Sequence, residues 1–216
     1  MFDHGAAPAA GEPGETTGDS PKRSAILAAA AEVFLEAGVE AAAMDEIARR
    51  ARVSKATVYS HFAGKDALLR AIVHGRCRAL MPAMDSAEFA ALPPDQALAL
   101  VGRRLLDMMA DPQAQALYRV VLVESARLPE LGRAFYENGP DRVARELAAY
   151  LDAQHRAGRL AVPEPRLAAE QFLGAVLCHS HIRRLLSVAA APQGEAERAA
   201  QVAAAVRLFL AATRPD

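Results

Sequence analysis

Basic side chains are concentrated between residues 47 and 65, IARRARVSKATVYSHFAGK, a stretch that contains no Asp or Glu. Its Lys and Arg residues are Arg49, Arg50, Arg52, Lys55 and Lys65. A DNA duplex carries one negative charge per roughly 1.7 Å of its axis, so such a run suits a phosphate backbone. The net charge of the chain is −1, so any nucleic-acid binding must come from this local pattern.

A second group of potentially reactive side chains is Cys178-His179-Ser180-His181. On a helix, a spacing of two residues separates the rings of His179 and His181 by about 200°, so they cannot share one metal ion. Cys178 and His181 could share an ion, but they would need further ligands. A Cys or Ser nucleophile here lacks an orienting carboxylate and an oxyanion-hole signal. We therefore predict no metal, no cofactor and no catalytic residue.

The basic run has the pattern of two short helices joined by a turn. Ile47, Ala48 and Ala51 mark the buried side of the first helix, and Val53 fills the turn. Ser54 is placed to cap the second helix by accepting a backbone N–H from its first turn.

On the second helix, Val58 and Phe62 are four residues apart and share the buried face. Ala56, Thr57 and Ser60 then point away from the core, with Tyr59 and His61 on the flanks. Small polar groups outward and basic groups at the start suit a DNA major groove. The alternative is a two-helix corner of an all-α protein with a solvated basic face.

Residues 24–72 resemble the DNA-binding domain of TetR-type transcriptional regulators. The most specific segment is VSKATVYSHF at 53–62, followed by KDALL at 65–69. The resemblance implies an all-helical homodimer that binds a palindromic operator and commonly releases it when a small ligand binds. By position, it implies Lys55 and Thr57 as base or phosphate contacts. The predicted DNA-binding residues are Ser54, Lys55, Ala56, Thr57, Tyr59, Ser60, His61 and Lys65, of which Tyr59, His61 and Lys65 are implied to contact the DNA backbone.

Two positions depart from that family pattern. Family members usually carry Thr or Ser just before the first helix of the motif, where this chain has Ala42 and Ala43. We therefore expect that helix to lack its side-chain cap and one phosphate contact. The turn usually holds Gly where this chain has Arg52. Because Arg tolerates positive φ poorly, we expect a different or mildly strained turn.

Composition favours an all-α fold. Hydrophobic residues make up 52% of the chain, aromatic residues 5%, and Trp is absent, so Leu and Ala do most of the packing. We predict a disordered acidic tail at 1–20, a three-helix helix-turn-helix DNA-binding domain at 21–68, and a larger α-helical effector-binding and dimerisation domain at 69–216. No run of 18 apolar residues and no basic-then-apolar leader is present, so we expect a cytoplasmic protein without a membrane partner.

Proline and glycine mark most of the expected helix ends. A first helix should run from Pro21 to Ala37 and end at Gly38, and a fourth should begin near Lys65 and stop before Pro82. Further helices should open at Pro94, Pro112, Pro129 and Pro140, followed by helices over 164–187 and 195–213. Residues 118–136 and 169–174 are similar to the C-terminal domain of the AefR-like branch of TetR regulators.

The last two helices are predicted to form the dimer interface. The helix over 164–187 is apolar on two sides, so it needs both its own core and a second partner. The predicted interface residues are Leu173, Leu177, Leu185, Val202, Val206, Phe209 and Leu210. The alternative is a fully buried helix in one large monomer.

An effector pocket is predicted from charged groups on apolar helix faces. Burying an unpaired charge is costly, so each such group needs a partner or a wet cavity. The predicted pocket residues are Arg104, Leu117, Val121, Glu124, Tyr150, Phe172, Val176, His179 and Arg183. The alternative is a buried ion pair of Glu124 with Arg104 or Arg183, without any ligand.

These patterns together predict a TetR-like regulator, most simply a repressor, that binds a double-stranded DNA operator as a homodimer and responds to an unknown small-molecule effector. One alternative is a DNA-binding regulator controlled by a protein partner or by its own concentration. Another is an enzyme on the same fold, which would have no need of the basic row at 47–65.

Overall fold

The computed structural model describes residues 20–80, 84, 86–186, 188 and 193–215, apart from the side chains of residues 78–80, 178 and 179. The predicted tail at 1–20, except Ser20, and the predicted helix stop at Pro82 lie outside the described residues. Within them the chain forms eleven α-helices and no strand, which confirms the all-α prediction. The helices are α1 (Pro21–Ala37), α2 (Met44–Arg50), α3 (Lys55–His61), α4 (Lys65–Leu80), α5 (Ala87–Ala91), α6 (Pro94–Ala110), α7 (Pro112–Glu124), α8 (Pro129–Asn138), α9 (Pro140–Arg156), α10 (Pro165–Leu185) and α11 (Glu195–Ala212).

Most helices begin where the sequence predicts. The hydroxyls of Ser20 and Ser54 accept a backbone N–H three residues later, at 3.2 and 3.0 Å, and so cap α1 and α3. Proline stands at the first position of α1 and of α6 to α10. The short helix α5, capped by Ser86, was not predicted. None of the helices in the described ranges is long and apolar enough to cross a membrane.

The apolar side chains form two cores. The first is built mainly by α1 to α4, which we call the head, and its centre holds Ile26, Ile47, Val58, Leu68 and Leu69. The second lies within α5 to α11, which we call the body, and is built mainly by α6, α9, α10 and α11. Val121 of α7 and Leu131 of α8 belong to the head core, so the body contributes to both.

Helix α4 connects the two regions. Leu68, Leu69, Ile72 and Val73 are buried in the head core, and Cys77 lies one turn further along the same helix, beside α7 to α9. The apolar face of α4 therefore continues past the predicted domain boundary at 68/69, and one rigid helix contacts both regions.

Candidate nucleic-acid interface and apolar cavity

Helix α3 is held by one buried side and presents the other to solvent. Val58 is fully buried and Phe62 nearly so, which fixes the helix against α1, α2 and α4. Most of the predicted contact residues lie on the outer surface, and Tyr59 is 47% exposed. The exposed members are Ser54, Lys55, Ala56, Tyr59, Ser60 and His61, while Thr57 and Lys65 are half-buried.

The turn before α3 is strained at Arg52. Its φ is +55°, and it is the sole non-glycine residue with positive φ in the described part of the chain. An L-residue with a long side chain pays a steric cost in this region, which confirms the prediction of a strained turn. Helix α2 begins at Met44, and its N-cap residue Ala43 forms no side-chain hydrogen bond, so the predicted absence of a cap is also confirmed.

The basic residues around α3 are paired with acids of the same protomer. Lys55 Nζ lies 2.7 Å from Asp45 Oδ1, and this hydrogen bond raises the pKa of Lys55. Arg49 and Arg50 both bind Glu46, and their hydrogen bonds lower the pKa of Glu46 to about 2. The stretch 47–65 contains no acidic residue, but Asp45 and Glu46, which directly precede it, form ion pairs with its basic side chains.

Two further contacts complete this surface. Arg50 also binds Glu36 of α1 at 2.5 Å, so it joins α2 to α1. Lys65 Nζ donates to the backbone carbonyl of Glu40 at 2.5 Å and ties the start of α4 to the α1–α2 loop. The spacings of three and four between Glu46 and the two arginines could have been read from the sequence.

The body and α4 of the head together line an apolar cavity of about 200 Å³. It lies between α4, α6, α7, α10 and the α8–α9 junction. Its wall is formed by Arg76 and Cys77 of α4, Leu105, Met108 and Met109 of α6, Ala114, Leu117 and Tyr118 of α7, Phe135, Gly139, Pro140 and Val143 of α8–α9, and Leu173, Leu177 and His181 of α10.

The polar groups on this wall are mostly uncharged. Burial raises the pKa of the Cys77 thiol. Burial, and secondarily the charge of Arg184, lower the pKa of His181, so its ring stays neutral at pH 7. The Tyr118 ring lies 5.5 Å from the His181 ring and 5.4 Å from the Phe135 ring, between centroids. The cavity therefore suits a mainly apolar molecule.

Among the predicted pocket residues, Leu117 lines this cavity. Tyr150, Phe172 and Val176 instead pack in the body core. The Tyr150 hydroxyl donates to the carbonyl of Leu92 at 2.7 Å, and burial raises the pKa of Tyr150 to about 12. Val121 packs in the head core, and Arg104 is half-buried away from the wall.

The predicted partners of Glu124 are wrong. Its carboxylate binds Arg127 at 2.9 Å, neither Arg104 nor Arg183, because α7 ends at Glu124 and the following turn returns Arg127 over it. Arg183 is exposed, since the inward row of α10 advances in steps of four from Phe172 and so reaches Arg184. The side chain of His179 lies outside the described residues.

The structure also changes the predicted dimer interface. Val202, Val206 and Phe209 are 2%, 8% and 9% exposed and pack in their own body core, so the prediction that they face a second protomer is wrong. Leu173 and Leu177 line the cavity, while Leu185 and Leu210 are half-buried. The apolar side chains that stay exposed on α10 and α11 are Leu167, Ile182 and Leu208.

Metal binding finds no support in the described side chains, where no three His, Cys, Asp or Glu residues are grouped to hold an ion. His181 lines the cavity, and the side chains of Cys178 and His179, which precede it in the sequence, lie outside the described residues.

Two family descriptions match the chain in consecutive segments. Residues 26–72 match "Bacterial regulatory proteins, tetR family", and residues 96–214 match "AefR-like transcriptional repressor, C-terminal domain". The second match alone covers more than half of the chain. The chain belongs to the TetR family. Its fold and its identity as a DNA-binding transcriptional regulator are thereby confirmed.

Solved structures of TetR-family proteins are similar along most of the chain. A TetR-family regulator from Mesorhizobium loti is 28% identical, with a TM-score of 0.79, and the match covers 89% of this chain and 96% of that one. The flavonoid-responsive regulator FrrA is 33% identical, with a TM-score of 0.75, over 90% of this chain and 97% of that one.

Curated relatives match over about fifty residues of the chain. The transcriptional activator FasR of Mycolicibacterium smegmatis is 50% identical over 52 residues, which is 24% of each chain. The A-factor receptor protein of Streptomyces griseus is 52% identical over 48 residues, or 22% of this chain and 17% of that protein. The matches thus span a quarter or less of the length of these two relatives.

Proposed function

We propose that this TetR-family protein is a cytoplasmic repressor that binds a palindromic operator as a homodimer and releases it when a small, mostly apolar ligand enters the cavity of the body. The observation that carries the proposal is the position of α4. Its first half packs in the head core, and its Arg76 and Cys77 form part of the cavity wall. A ligand in the cavity thus contacts the helix that supports α3.

The surface of α3 supports sequence readout by Lys55 and Thr57. Both residues stand in the first turn of α3, where a recognition helix in the major groove commonly contacts base edges. Tyr59 and His61 lie further along α3 and Lys65 begins α4, and these residues suit phosphate contacts, which position the protein without reading sequence. Lys55 must exchange its Asp45 partner for DNA on binding.

The cavity supports control by a small ligand. Its volume of about 200 Å³ lies below the roughly 300–1,000 Å³ of pockets for drug-sized ligands, so the ligand should be smaller than a drug-sized molecule. Apolar side chains dominate the cavity wall, so the ligand should be mostly apolar. The similar protein FrrA is described as flavonoid-responsive, which agrees with a ligand-responsive body. A repressor is favoured over an activator because the body matches the AefR-like repressor domain, although the DNA-binding segment is also similar to that of an activator.

Filling the cavity tests the ligand role. We expect Leu117→Trp to occupy the space while keeping α3 intact, so DNA affinity should be retained and ligand response lost. Operator DNA would be selected from random duplexes, and release would be followed by fluorescence anisotropy with 1-octanol and 4-phenyl-1-butanol as apolar probes. Leu122→Trp is the matched control, because Leu122 is on the same helix but exposed.

Two results would contradict the proposal. Failure of the wild-type protein to enrich any sequence would remove the DNA-binding role. An equal response of wild type and Leu117→Trp to a probe that releases DNA would place the effector site elsewhere.

The exposed faces of α10 and α11 support a homodimer. One helix-turn-helix reads half a palindrome, and the two copies must lie about 34–36 Å apart or at a multiple of that spacing. Leu167 and Ile182 on α10 and Leu208 on α11 are 46%, 52% and 67% exposed, and removing such apolar surface from water would favour association. Small residues at Gly174 and Ala204 would let two such faces approach closely.

A charge on this face should separate the protomers. We expect Leu208→Glu to give a monomer that binds the selected operator at least about tenfold more weakly, because only one half-site is then held. Light scattering and anisotropy would measure the two effects. Val123→Glu is the control, since Val123 is 73% exposed but lies on α7. A dimer that persists in Leu208→Glu would move the interface away from this face.

A further inference from the structure

A narrow annex adjoins the apolar cavity at the C-terminal end of α10. It holds about 20 Å³, which is room for about one water-sized group. Met109, Tyr118 and His181 line both spaces, so the annex opens from the same wall. Its remaining wall is formed by Gln115, Arg119, Arg184 and Leu185.

Arg184 is half-buried and brings an incompletely bonded guanidinium to this annex. Its Nη1 is buried and has no hydrogen-bond acceptor, the one such side-chain atom in the described part of the chain. Its Nη2 donates to the amide oxygen of Gln193 at 2.7 Å, which is a neutral partner. No carboxylate of the described residues forms an ion pair with Arg184. A guanidinium normally has its donors satisfied when it is buried, so this one has unused capacity for an anion.

The surroundings of Arg184 are more positive than negative. Arg119 reaches the backbone carbonyl of Arg184 at 3.2 Å, and Arg198 repels it from α11. Burial, and secondarily this repulsion, lower the pKa of Arg184, although Glu197 opposes the change. The acid nearest to Arg198, Asp107, is engaged with it at 3.1 Å. An added negative charge would be stabilised here.

We propose that the effector is an amphipathic organic acid whose apolar part fills the cavity and whose carboxylate reaches the annex and binds Arg184. This inference rests on the proposed function, because it assigns a chemical class to the ligand of the same cavity. One carboxylate oxygen fits the annex and accepts from Nη1, while the rest of the group remains beside Tyr118 and His181. The neutral ring of His181 can donate one N–H to the same group.

The test compares acids with matched neutral alcohols. Calorimetric titration of the full-length protein would use octanoate against 1-octanol and 4-phenylbutyrate against 4-phenyl-1-butanol. We expect the acid of at least one pair to bind about ten- to a hundredfold more tightly than its alcohol, as charge-assisted hydrogen bonds imply. Equal affinities in both pairs, or no binding by either acid, would overturn the inference without any variant.

Two arginine variants locate the effect. Arg184→Gln should remove the preference for the acid and leave alcohol affinity within about twofold, which also shows that the variant is folded. Arg183→Gln makes the same change on the exposed neighbouring residue and should alter neither affinity. An equal loss for acid and alcohol in Arg184→Gln, or an acid preference that survives it, would overturn the role of Arg184.

DNA release separates this inference from the proposed function. Selective acid binding through Arg184 without release of DNA would support the inference and contradict ligand control. Release of DNA by apolar probes with no preference for acids would support ligand control and contradict the inference about Arg184.

Discussion

The head and the body differ in whether the basic side chains proposed to bind DNA or the ligand have acidic partners and in whether their cores enclose a cavity. In the head, the cations near α3 are already engaged, Lys55 with Asp45 and Arg50 with Glu36 and Glu46, and the apolar core beneath them is buried. In the body, the core encloses a cavity and Arg184 keeps a buried nitrogen without an acceptor. In the proposed function, DNA displaces partners on the head, whereas a ligand adds a missing partner to the body.

The largest expected effect contrasts the two regions by removing buried leucine side chains. Leu69→Ala in the head core and Leu106→Ala in the body core should each cost about 2–5 kcal/mol of unfolding free energy, because both sites are filled. Leu105→Ala should cost clearly less, since Leu105 faces the cavity and already lacks contacts on that side. Urea unfolding would measure all three.

Leu105 and Leu106 are adjacent on α6 and differ mainly in that the side chain of Leu105 lines the cavity, whereas that of Leu106 does not. Equal losses at the two positions would mean that the cavity closes in solution, and the contrast between head and body would then lose its basis.

An intermediate effect is expected where the two regions meet. Arg127 binds Asp66 of α4 at 3.0 Å and Glu124 at 2.9 Å, and the Glu124 side chain is only 11% exposed. Arg127→Ala leaves that carboxylate without its partner, so urea unfolding should show a clear loss of unfolding free energy, larger than that of its control. Arg133→Ala, an exposed arginine on α8, is the control and should change stability by less than about 0.5 kcal/mol.

The ion pair of Arg127 with Asp66 should also affect how ligand binding in the body changes DNA binding by the head. Ligand response should weaken in Arg127→Ala even where DNA affinity is retained, because one of the contacts between α4 and the α7–α8 turn is gone. Unchanged stability would show that Glu124 reaches solvent on its own.

The smallest expected effect concerns the paired cations of the head. Asp45→Asn frees Lys55, so operator affinity should rise by about 1.5- to 5-fold, the range expected from an exposed ion pair. Glu88→Gln on α5 makes the same change of net charge far from α3 and should leave affinity nearly unchanged. Anisotropy titrations at several salt concentrations would measure both.

A rise in affinity on random DNA as large as that on the operator would assign Lys55 to phosphate rather than base contacts. A fall in Asp45→Asn would instead show that Asp45 is needed to orient the Lys55 side chain.

Local sequence rules predict the helix starts well because they depend on neighbouring residues. Ser20 and Ser54 cap where their hydroxyls can reach, proline opens six helices, and Arg52 adopts the predicted strained turn. The tight motif at 53–62 also identifies the DNA-binding segment.

Packing between distant helices is harder to predict from sequence. Phe172 and Val176 are on an apolar face, but the sequence does not say whether that face borders a full core or a space. Arg183 and Arg184 are adjacent, and the choice of the inward one depends on whether the helix face advances by three or four residues. Val202 and Phe209 face their own core because α11 packs on α6, a contact between segments about a hundred residues apart.

The length of α4 gives its position a mechanical meaning. Its 16 residues form a rod about 24 Å long at about 1.5 Å per residue, with the cavity near one end and α3 near the other. A tilt of only about 5° about one end would move the other by about 2 Å, which exceeds the roughly 0.5 Å spread of productive hydrogen-bond distances. In the proposed homodimer, a palindromic operator would hold both recognition helices at once, so a small rotation of α4 would put the two half-sites out of register.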